Sequence, residues 1–332
     1  MVSGDTAAGT VTVEELARFR PELVGYCYRM LGSIHEAEDA VQDTMVRAWR
    51  GLATFEGRTG LRPWLYRIAT NVCFDMVRGR SRRALPMDVA PVSTGELRHG
   101  EARPEASWVQ PAPDSLILPL DGDPAERAVS RESVRLAFIA ALQHLAPRQR
   151  AVLILRDVLR LRAAEVAALL ETSAGAVNSA LRRARAALAF IHRDSAPSPP
   201  SGDDGELLAA YIDAFERHDV AALVGLLRDD AVLEMPPFEL WMRGRDDISR
   251  WLVSVDALGR EVVTPVAANG SPAVAVYRAP APGGQPTAFA IQVLDVVAGR
   301  ISGIHVFLDP ALFETFGLPI APPAQSGGGG TP

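Results

Sequence analysis

The residues best suited to chemistry are arginines on a short helical stretch, TSAGAVNSALRRARAALAFIHR at 172–193. It holds four arginines and no acidic residue. Arginine binds phosphate through a planar fork of donors, and arginine and asparagine read base edges through paired hydrogen bonds. The outer side of this helix would present Asn178, Ser179, Arg182, Arg183 and Arg185. Nucleic acid is therefore a candidate partner, although four arginines alone would equally suit a solvated helix face.

The residues around this stretch predict a helix-turn-helix, which favours DNA over a solvated face. The sequence LRAAEVAALLE precedes a break at Thr172 and Ser173, and a second helix follows. Val177, Leu181 and Leu188 repeat at helical spacing and predict its inner face, while Thr172 or Ser173 can cap its first turn. Such a second helix is the element that enters the major groove.

A second basic cluster lies upstream, where residues 58–83 hold seven arginines and one acid, Asp75. Polyanion contact and a solvated face both explain such a run. Trp64 and Tyr66 are either stacking platforms for bases or core aromatics. The candidate DNA contacts in this cluster are Arg58, Arg62, Arg67, Asn71, Arg78, Arg80, Arg82 and Arg83.

An acidic helix is predicted before this cluster. Ala37, Val41, Met45 and Trp49 recur at four-residue steps, which is typical of an amphipathic helix. Its polar residues include Asp39, Gln42 and Asp43, with Glu36 and Glu38 nearby. Carboxylates repel DNA, so this face would bind a basic protein surface or remain solvated.

The charge of the 332-residue chain is distributed unevenly around a net value of -6. Residues 1–200 carry 26 arginines against 23 acids, whereas residues 201–332 carry 8 against 17. There is no secretion signal or long apolar run, which predicts a cytoplasmic protein. Cys27 and Cys73 are isolated, so neither a disulfide framework nor a metal site is indicated. We expect no metal and no cofactor.

The pattern of elements predicts a multidomain protein, all-α at first and α+β at the end. Helical periodicity fills the first two segments, and short β-like runs follow a helix in the last. The predicted boundaries are 13–83 for the first helical domain, 84–125 for a linker, 126–193 for the helix-turn-helix domain, 194–205 for a second linker, 206–320 for the α+β domain and 321–332 for a disordered tail.

The helical part resembles the extracytoplasmic-function sigma factors of the sigma-70 family. LAPRQRAVLILRDVLRLRAAEVAALLETSAGAVNSALRRARAAL is similar to their region four, and SIHEAEDAVQDTMVRAWRGLATFE with LRPWLYRIATNVCFDMVRGRSRR is similar to region two. The resemblance implies an RNA polymerase specificity subunit that starts transcription without catalysing a bond change. It implies that region four binds the minus-thirty-five promoter element and region two the minus-ten element.

The same resemblance implies the partners. They are promoter DNA and the RNA polymerase core, through its β′ clamp helices and its β subunit, with Asp39, Gln42 and Asp43 as the polymerase contacts. The linker is long for the family, and its segment WVQPAPDSLI would lie in the polymerase cleft or dock on the sigma domains. No membrane contact is indicated, and no separate anti-sigma factor is evident.

The last domain resembles SnoaL-like proteins, which share a cone-shaped α+β fold with ketosteroid isomerase. The resemblance rests on AYIDAFERHDVAALVGLLRDDAVLEMPP, WMRGRDDISRWL and GRISGIHVFLD. It implies a domain that modulates the sigma factor in cis. No paired acid and base motif is visible, so we expect it to be non-catalytic. The residues of a candidate ligand pocket are Tyr211, Phe215, Trp241, His305 and Phe307, with His305 favoured as a structural histidine.

Two other functions remain open at this point. An ordinary DNA-binding regulator would share the helix-turn-helix but would have no use for the region-two helices. An enzyme of the SnoaL type fused to a DNA-binding arm would require turnover by the last domain.

Overall fold

The computed structural model describes residues 12–55, 60–93, 100–119, 123–191, 204–255, 261–281 and 283–322. Arg58, nearly all of the predicted second linker and most of the predicted disordered tail lie outside these residues. The chain divides into two compact units. The first comprises 1–83 and 114–196, and the second comprises 84–113 and 197–332. Part of the segment between the two helical domains therefore belongs structurally to the C-terminal unit.

Helices make up the described part of the first unit and recur in the second. The α-helices are α1 Val13–Ala17, α2 Arg20–Leu31, α3 Ile34–Gly51, α4 Leu61–Val77, α5 Pro86–Val89, α6 Asp114–Ile117, α7 Pro124–Glu132, α8 Leu136–Gln143, α9 Pro147–Leu153, α10 Ala163–Leu169, α11 Ala174–Ile191, α12 Asp204–Glu216, α13 Val220–Leu226, α14 Arg245–Val255 and α15 Leu312–Thr315. A π-helical turn, Ile154–Val158, continues α9.

Local signals set the bounds of the long helices in the first unit. Gly32 ends α2 in the left-handed conformation, with φ of 72°, and Ser33 caps α3 by accepting from the Glu36 amide at 3.2 Å. The packed faces of α2 and α4 meet through Tyr26, whose ring lies edge-on to Tyr66 at 5.1 Å and whose hydroxyl bonds Thr70 at 2.8 Å. Tyr66 is therefore a core aromatic.

The second unit is built on a mixed sheet with strand order β2-β1-β6-β5-β4-β3. The strands are β1 Leu227–Glu234, β2 Trp241–Arg243, β3 Glu261–Ala268, β4 Ser271–Arg278, β5 Thr287–Val297 and β6 Arg300–Phe307. Strand β1 runs parallel to β6, and the other neighbours are antiparallel. The α+β class predicted for this part of the chain is confirmed.

The two faces of this sheet have different neighbours. One face packs with α12, α13 and α14 around a core that includes Leu223, Leu233 and Val306. On the other face Tyr277 meets Phe313 of α15, with ring centroids 5.0 Å apart. Side chains alternate between the faces along each strand, so sequence neighbours have different surroundings.

Candidate functional site

The predicted helix-turn-helix is formed by α10 and α11. The Ser173 hydroxyl accepts from the Ala176 amide at 3.2 Å and caps α11, as predicted for this position. Val177 and Leu181 are buried, which confirms the inner face. Asn178 and Arg182 are exposed on the outer face. The second helix therefore presents polar and cationic groups while its apolar side anchors it.

The arginines of α11 differ in their present partners. Arg185 forms a two-point ion pair with Asp157, at 2.8 and 2.6 Å. Within the described residues, Arg182 and Arg183 are exposed and have no ion pair. The guanidinium groups of Arg182 and Arg183 are thus open to a phosphate or a base, whereas Arg185 must first leave a carboxylate.

The candidate DNA contacts at the start of α4 are tied to the fold. Arg62 pairs with Glu22 at 2.5 Å, and the Tyr66 hydroxyl donates to the same carboxylate. Trp64 is half-buried and lies against Phe55, with centroids 4.7 Å apart. The sequence left open whether Trp64 and Tyr66 stack on bases or pack in the core. The structure gives each of the two side chains a packing partner within the protein.

Further along α4, Arg67 and Asn71 lie one turn apart and are exposed. The Arg67 guanidinium lies 3.7 Å from the carboxylate of Glu171, in the turn of the helix-turn-helix. The candidate surface of α4 therefore contacts the very motif that carries the other candidate DNA surface.

The remaining arginines of the basic cluster are also engaged. Arg78 lies 3.6 Å from Asp75, and Arg82 contacts the His144 imidazole at 2.8 Å. Arg80 and Arg83 both pair with Glu36, and Arg83 is only 7% exposed. A phosphate would have to displace Asp75, Glu36 or His144, and Arg83 is reached only after it leaves its buried position.

The acidic face of α3 extends into an apolar patch. Asp39, Gln42 and Asp43 lie on one side of the helix, and Asp43 also pairs with Arg47 at 2.8 Å. The same stripe continues one and two turns later with two exposed apolar side chains. These are Val46, 40% exposed, and Trp49, 61% exposed.

The structure divides the apolar repeat of this helix. Ala37 and Val41 are buried, whereas Trp49, which recurs at the same four-residue steps, is exposed. Sequence reasoning therefore missed Val46 and Trp49 as surface residues. Their position three and six residues beyond Asp43, on the same side of the helix, was the available signal. We call Asp39, Gln42, Asp43, Val46 and Trp49 the α3 face.

Two buried arginines join the halves of the first unit. Arg150 of α9 donates to the Met30 carbonyl of α2 and to the Gln143 side chain at 2.6 Å. Arg29 of α2 donates to the Ser133 hydroxyl beyond α7 at 2.8 and 3.1 Å. Burial lowers the pKa of each arginine to about 10, because neither cation has a carboxylate against it among these bonds.

In the second unit, residues 84–113 are hydrogen-bonded to the C-terminal sheet. The Ala112 amide donates to Asn269 Oδ1 at 2.9 Å, and the Asn269 amide donates to the Ala112 carbonyl at 3.1 Å. Trp241 Nε1 donates to the Ala90 carbonyl at 2.8 Å, and the Ser93 amide donates to the Trp241 carbonyl at 2.9 Å. The linker is therefore held at both of its ends.

His305 stands between two carboxylates. Its Nδ1 lies 2.5 Å from Glu234 Oε1, and its Nε2 lies 2.9 Å from Asp295 Oδ2. Burial would lower the pKa of His305, but Glu234 and Asp295 outweigh it and raise the pKa to about 10. Gly303 makes room for this contact, because a Cβ there would lie 3.3 Å from both Asp295 and His305.

A cavity of about 120 Å³ lies inside the cone, between the helices and the core face of the sheet. Tyr211 and Phe215 line it, with centroids 5.7 Å apart. Trp241, His305 and Phe307 do not line it, which corrects the predicted grouping. Ile304 and Val306 line the cavity, so alternation along β6 turns His305 and Phe307 to the opposite face.

In the described ranges, no helix is both long and apolar enough to cross a membrane. In the same ranges, no group of three or more histidine, cysteine or acidic side chains is arranged to hold a metal ion.

Family models match three parts of the chain. Sigma-70 region 2 matches residues 16–83, Sigma-70, region 4 matches residues 135–188, and a SnoaL-like domain matches residues 208–304.

Full-length relatives share all three parts. The chain is 45% identical over 309 residues to the ECF RNA polymerase sigma factor SigG of Mycobacterium tuberculosis, covering 91% of this chain and 82% of SigG. It is 25% identical over 297 residues to the probable ECF RNA polymerase sigma factor SigI of the same organism, covering 89% and 92%.

A solved structure has the same fold. It is the extracytoplasmic-function sigma factor SigJ of Mycobacterium tuberculosis, with a TM-score of 0.61 at 21% identity, covering 93% of this chain and all of that one.

Proposed function

This chain belongs to the extracytoplasmic-function sigma factors of RNA polymerase, and from that premise we propose which of its residues carry each step. A sigma factor binds the polymerase core and directs it to promoter DNA, where transcription starts. It is a specificity subunit and not itself an enzyme. The proposal places the protein in the cytoplasm, where its polymerase transcribes the chromosome.

Region four reads the minus-thirty-five element through α11. Asn178, Arg182 and Arg183 are exposed on the outer side of a capped helix, and Ser179 is half-buried beside them, so these four residues suit base edges and nearby phosphates. Arg185 joins them by exchanging Asp157 for a phosphate. Such an exposed pair contributes little to stability, so DNA can displace it at small cost.

Region two reads the minus-ten element through α4. Arg67 and Asn71 contact the exposed bases, and the arginines that flank them hold phosphates without sequence preference. The flanking arginines in this proposal are Arg58, Arg62, Arg78, Arg80, Arg82 and Arg83. In the structure most of these arginines pair with acidic side chains of the same unit. Those carboxylates occupy the guanidinium groups until DNA phosphates replace them.

The α3 face binds the β′ clamp helices of the polymerase core, and region four reaches the β subunit. The observation that supports this most strongly is the exposed Trp49 beside Asp39, Gln42 and Asp43. Aromatic side chains commonly anchor protein interfaces, and the surrounding charges steer the partner and set its register. An acidic face with an apolar end is suited to a basic protein surface and not to DNA.

The first unit must open before both promoter elements are bound. The minus-ten and minus-thirty-five elements are about 25 base pairs apart, or roughly 85 Å along B-DNA. In the structure, Arg67 and Glu171 of the two regions are 3.7 Å apart. The closed form is therefore a resting form, stabilised by the bonds of Arg29 and Arg150.

The C-terminal domain modulates the sigma factor in cis by holding the linker. A linker bonded to Trp241 and Asn269 is restrained in how far it lets the two sigma regions separate. The C-terminal domain therefore inhibits the sigma factor, because releasing residues 84–113 from the sheet favours the open form of the first unit.

The residue assignments are tested by measuring core binding and promoter binding separately. Trp49→Ala should weaken binding to the polymerase core at least tenfold in the absence of DNA, since an interface anchor contributes about 2 kcal/mol or more. Arg182→Ala should leave core binding unchanged and weaken promoter binding. Val253→Ala is a control, because Val253 is 62% exposed on α14 of the other unit. Equal core binding by all variants would contradict the role of the α3 face.

A further inference from the structure

A short turn leads from the π-helical end of α9 to α10, and two of its three arginines have partners inside the protein. Arg156 donates to the Leu161 carbonyl, and Arg162 pairs with Glu165 at 2.8 Å. These bonds hold the turn and the start of α10. Arg160 lies between them and is exposed, and in the part of the chain that the structure describes its guanidinium has neither an ion pair nor a hydrogen bond. The side chain of Arg160 therefore contributes no polar contact to the fold.

The backbone of Arg160 is in the left-handed conformation, with φ of 58°. A residue with a Cβ is strained in this region, whereas glycine adopts it without strain. Strained residues of this kind cluster at functional sites, where the side chain has a use that outweighs the strain. An arginine that makes no polar contact at a strained position therefore has its partner outside the chain.

The position of Arg160 places it beside α11. It follows Asp157 by three residues, and Asp157 holds Arg185 of α11 through a two-point ion pair. Three residues span at most roughly 11 Å, so the turn and the middle of α11 lie on neighbouring parts of one surface. Arg182 and Arg183 add two exposed cations to it. Phosphates of one DNA strand follow each other about every 3.4 Å along the helix axis, so a surface of this breadth meets more than one of them.

We propose that Arg160 binds a phosphate of the promoter backbone, close to the phosphate that Arg185 binds, and that it does so without reading sequence. Arg156 and Arg162 fix the turn on both sides of this cation and so set its position. The inference rests on the proposed reading of the minus-thirty-five element by α11. It adds a backbone contact outside that helix, which positions the protein on the duplex.

The experiment measures binding of the full chain to two duplexes by fluorescence anisotropy at several salt concentrations. One duplex carries the minus-thirty-five element and the other has the same bases in scrambled order. Arg160→Gly removes the cation and relieves the strained backbone, so its melting temperature should be no lower than that of the wild type. Arg160→Lys keeps a charge for the phosphate. Arg148→Gln is the matched control, because Arg148 is another exposed arginine, nine residues before Asp157.

Arg160→Gly should weaken binding to both duplexes by the same factor, about eightfold at 0.1 M salt and about threefold at 0.3 M. The reason is that each phosphate contact contributes about 0.9 to the slope of log affinity against log salt concentration. Arg160→Lys and Arg148→Gln should both keep the wild-type slope. A wild-type slope in Arg160→Gly would overturn the proposal. Weaker binding to the polymerase core with unchanged DNA binding would also overturn it, since Arg160 would then be a protein contact.

Arg182→Ala separates a failure of this inference from a failure of the proposed function. It should reduce the preference for the promoter duplex over the scrambled one, a ratio that Arg160→Gly should leave unchanged. If Arg182→Ala keeps the preference, α11 does not read the element, and the inference that rests on it falls as well. If Arg182→Ala loses the preference and Arg160→Gly binds like the wild type, the reading by α11 stands and the phosphate contact is refuted.

Discussion

The imidazole of His305 should remain protonated at pH values where ordinary histidines are neutral. Glu234 and Asp295 contact its two ring nitrogens, at 2.5 and 2.9 Å, and raise its pKa from 6.5 to about 10. Each pH unit of such a shift corresponds to about 1.4 kcal/mol, so the interaction is on the order of 5 kcal/mol at most.

The sign of the pH dependence follows from the protons bound in each state. Between pH 6.5 and about 10 the folded domain keeps a proton on His305 that the unfolded chain releases. The stabilisation is complete below pH 6.5 and is lost as the pH rises toward 10, at up to about 1.4 kcal/mol per unit. Hydrogen exchange of the β5 and β6 amides measures this locally.

The direct assay is NMR of the full chain with ¹³C at the histidine Cε1 positions. Of the six histidines, one signal should stay at the imidazolium position at pH 8.5, and His305→Gln should remove it. Glu234→Gln should lower that pKa by at least one unit, because one of the two carboxylates is gone. His35→Gln is the control and should leave the signal in place. If all six signals reach the neutral position by pH 8, the reasoning about this cluster is refuted.

Three further predictions concern the sigma regions and the linker. Asp157→Asn should free Arg185 and tighten promoter binding about two- to fivefold in anisotropy titrations, and no change would mean that Arg185 is not a DNA contact. Arg150→Met should lower the melting temperature of the full chain markedly, because the Met30 and Gln143 oxygens each lose a buried donor. Each unsatisfied acceptor costs about 1 to 3 kcal/mol of folding free energy. Arg148→Met, at an exposed position, should leave the melting temperature unchanged. Asn269→Gly keeps the left-handed turn, with φ of 55°, but removes the acceptor of the Ala112 amide, so it should raise transcription. Ala298→Gly is the control: it places glycine at another left-handed position, in the β5–β6 turn, and should leave transcription unchanged. Equal activities of the two variants would show that the Asn269 bond does not restrain the linker.

Much of the fold follows from local pattern. The helix-turn-helix could be predicted because Val177 and Leu181 recur at helical spacing and Ser173 supplies a cap, and all three depend on nearby residues. The C-terminal sheet could be predicted from short runs between turn residues for the same reason.

Other features depended on contacts that are distant in sequence. The exposure of Trp49 could not be predicted from its four-residue repeat, because periodicity does not distinguish an apolar side chain that packs in the core from one that remains on the surface. His305 was grouped with the wrong face, since one residue of register on β6 separates it from Ile304 and Val306. The linker shows no periodicity because it is held by backbone groups and by Asn269, more than 150 residues away.

We propose that the C-terminal domain restrains this sigma factor by holding residues 84–113. Run-off transcription with polymerase core tests it most directly, comparing the full chain with a chain that ends at residue 203. If the domain restrains the sigma regions, both proteins yield defined transcripts, and the shorter one yields more of them at equal protein concentration. Equal or lower output from the shorter chain, with its promoter binding intact, would contradict the claim.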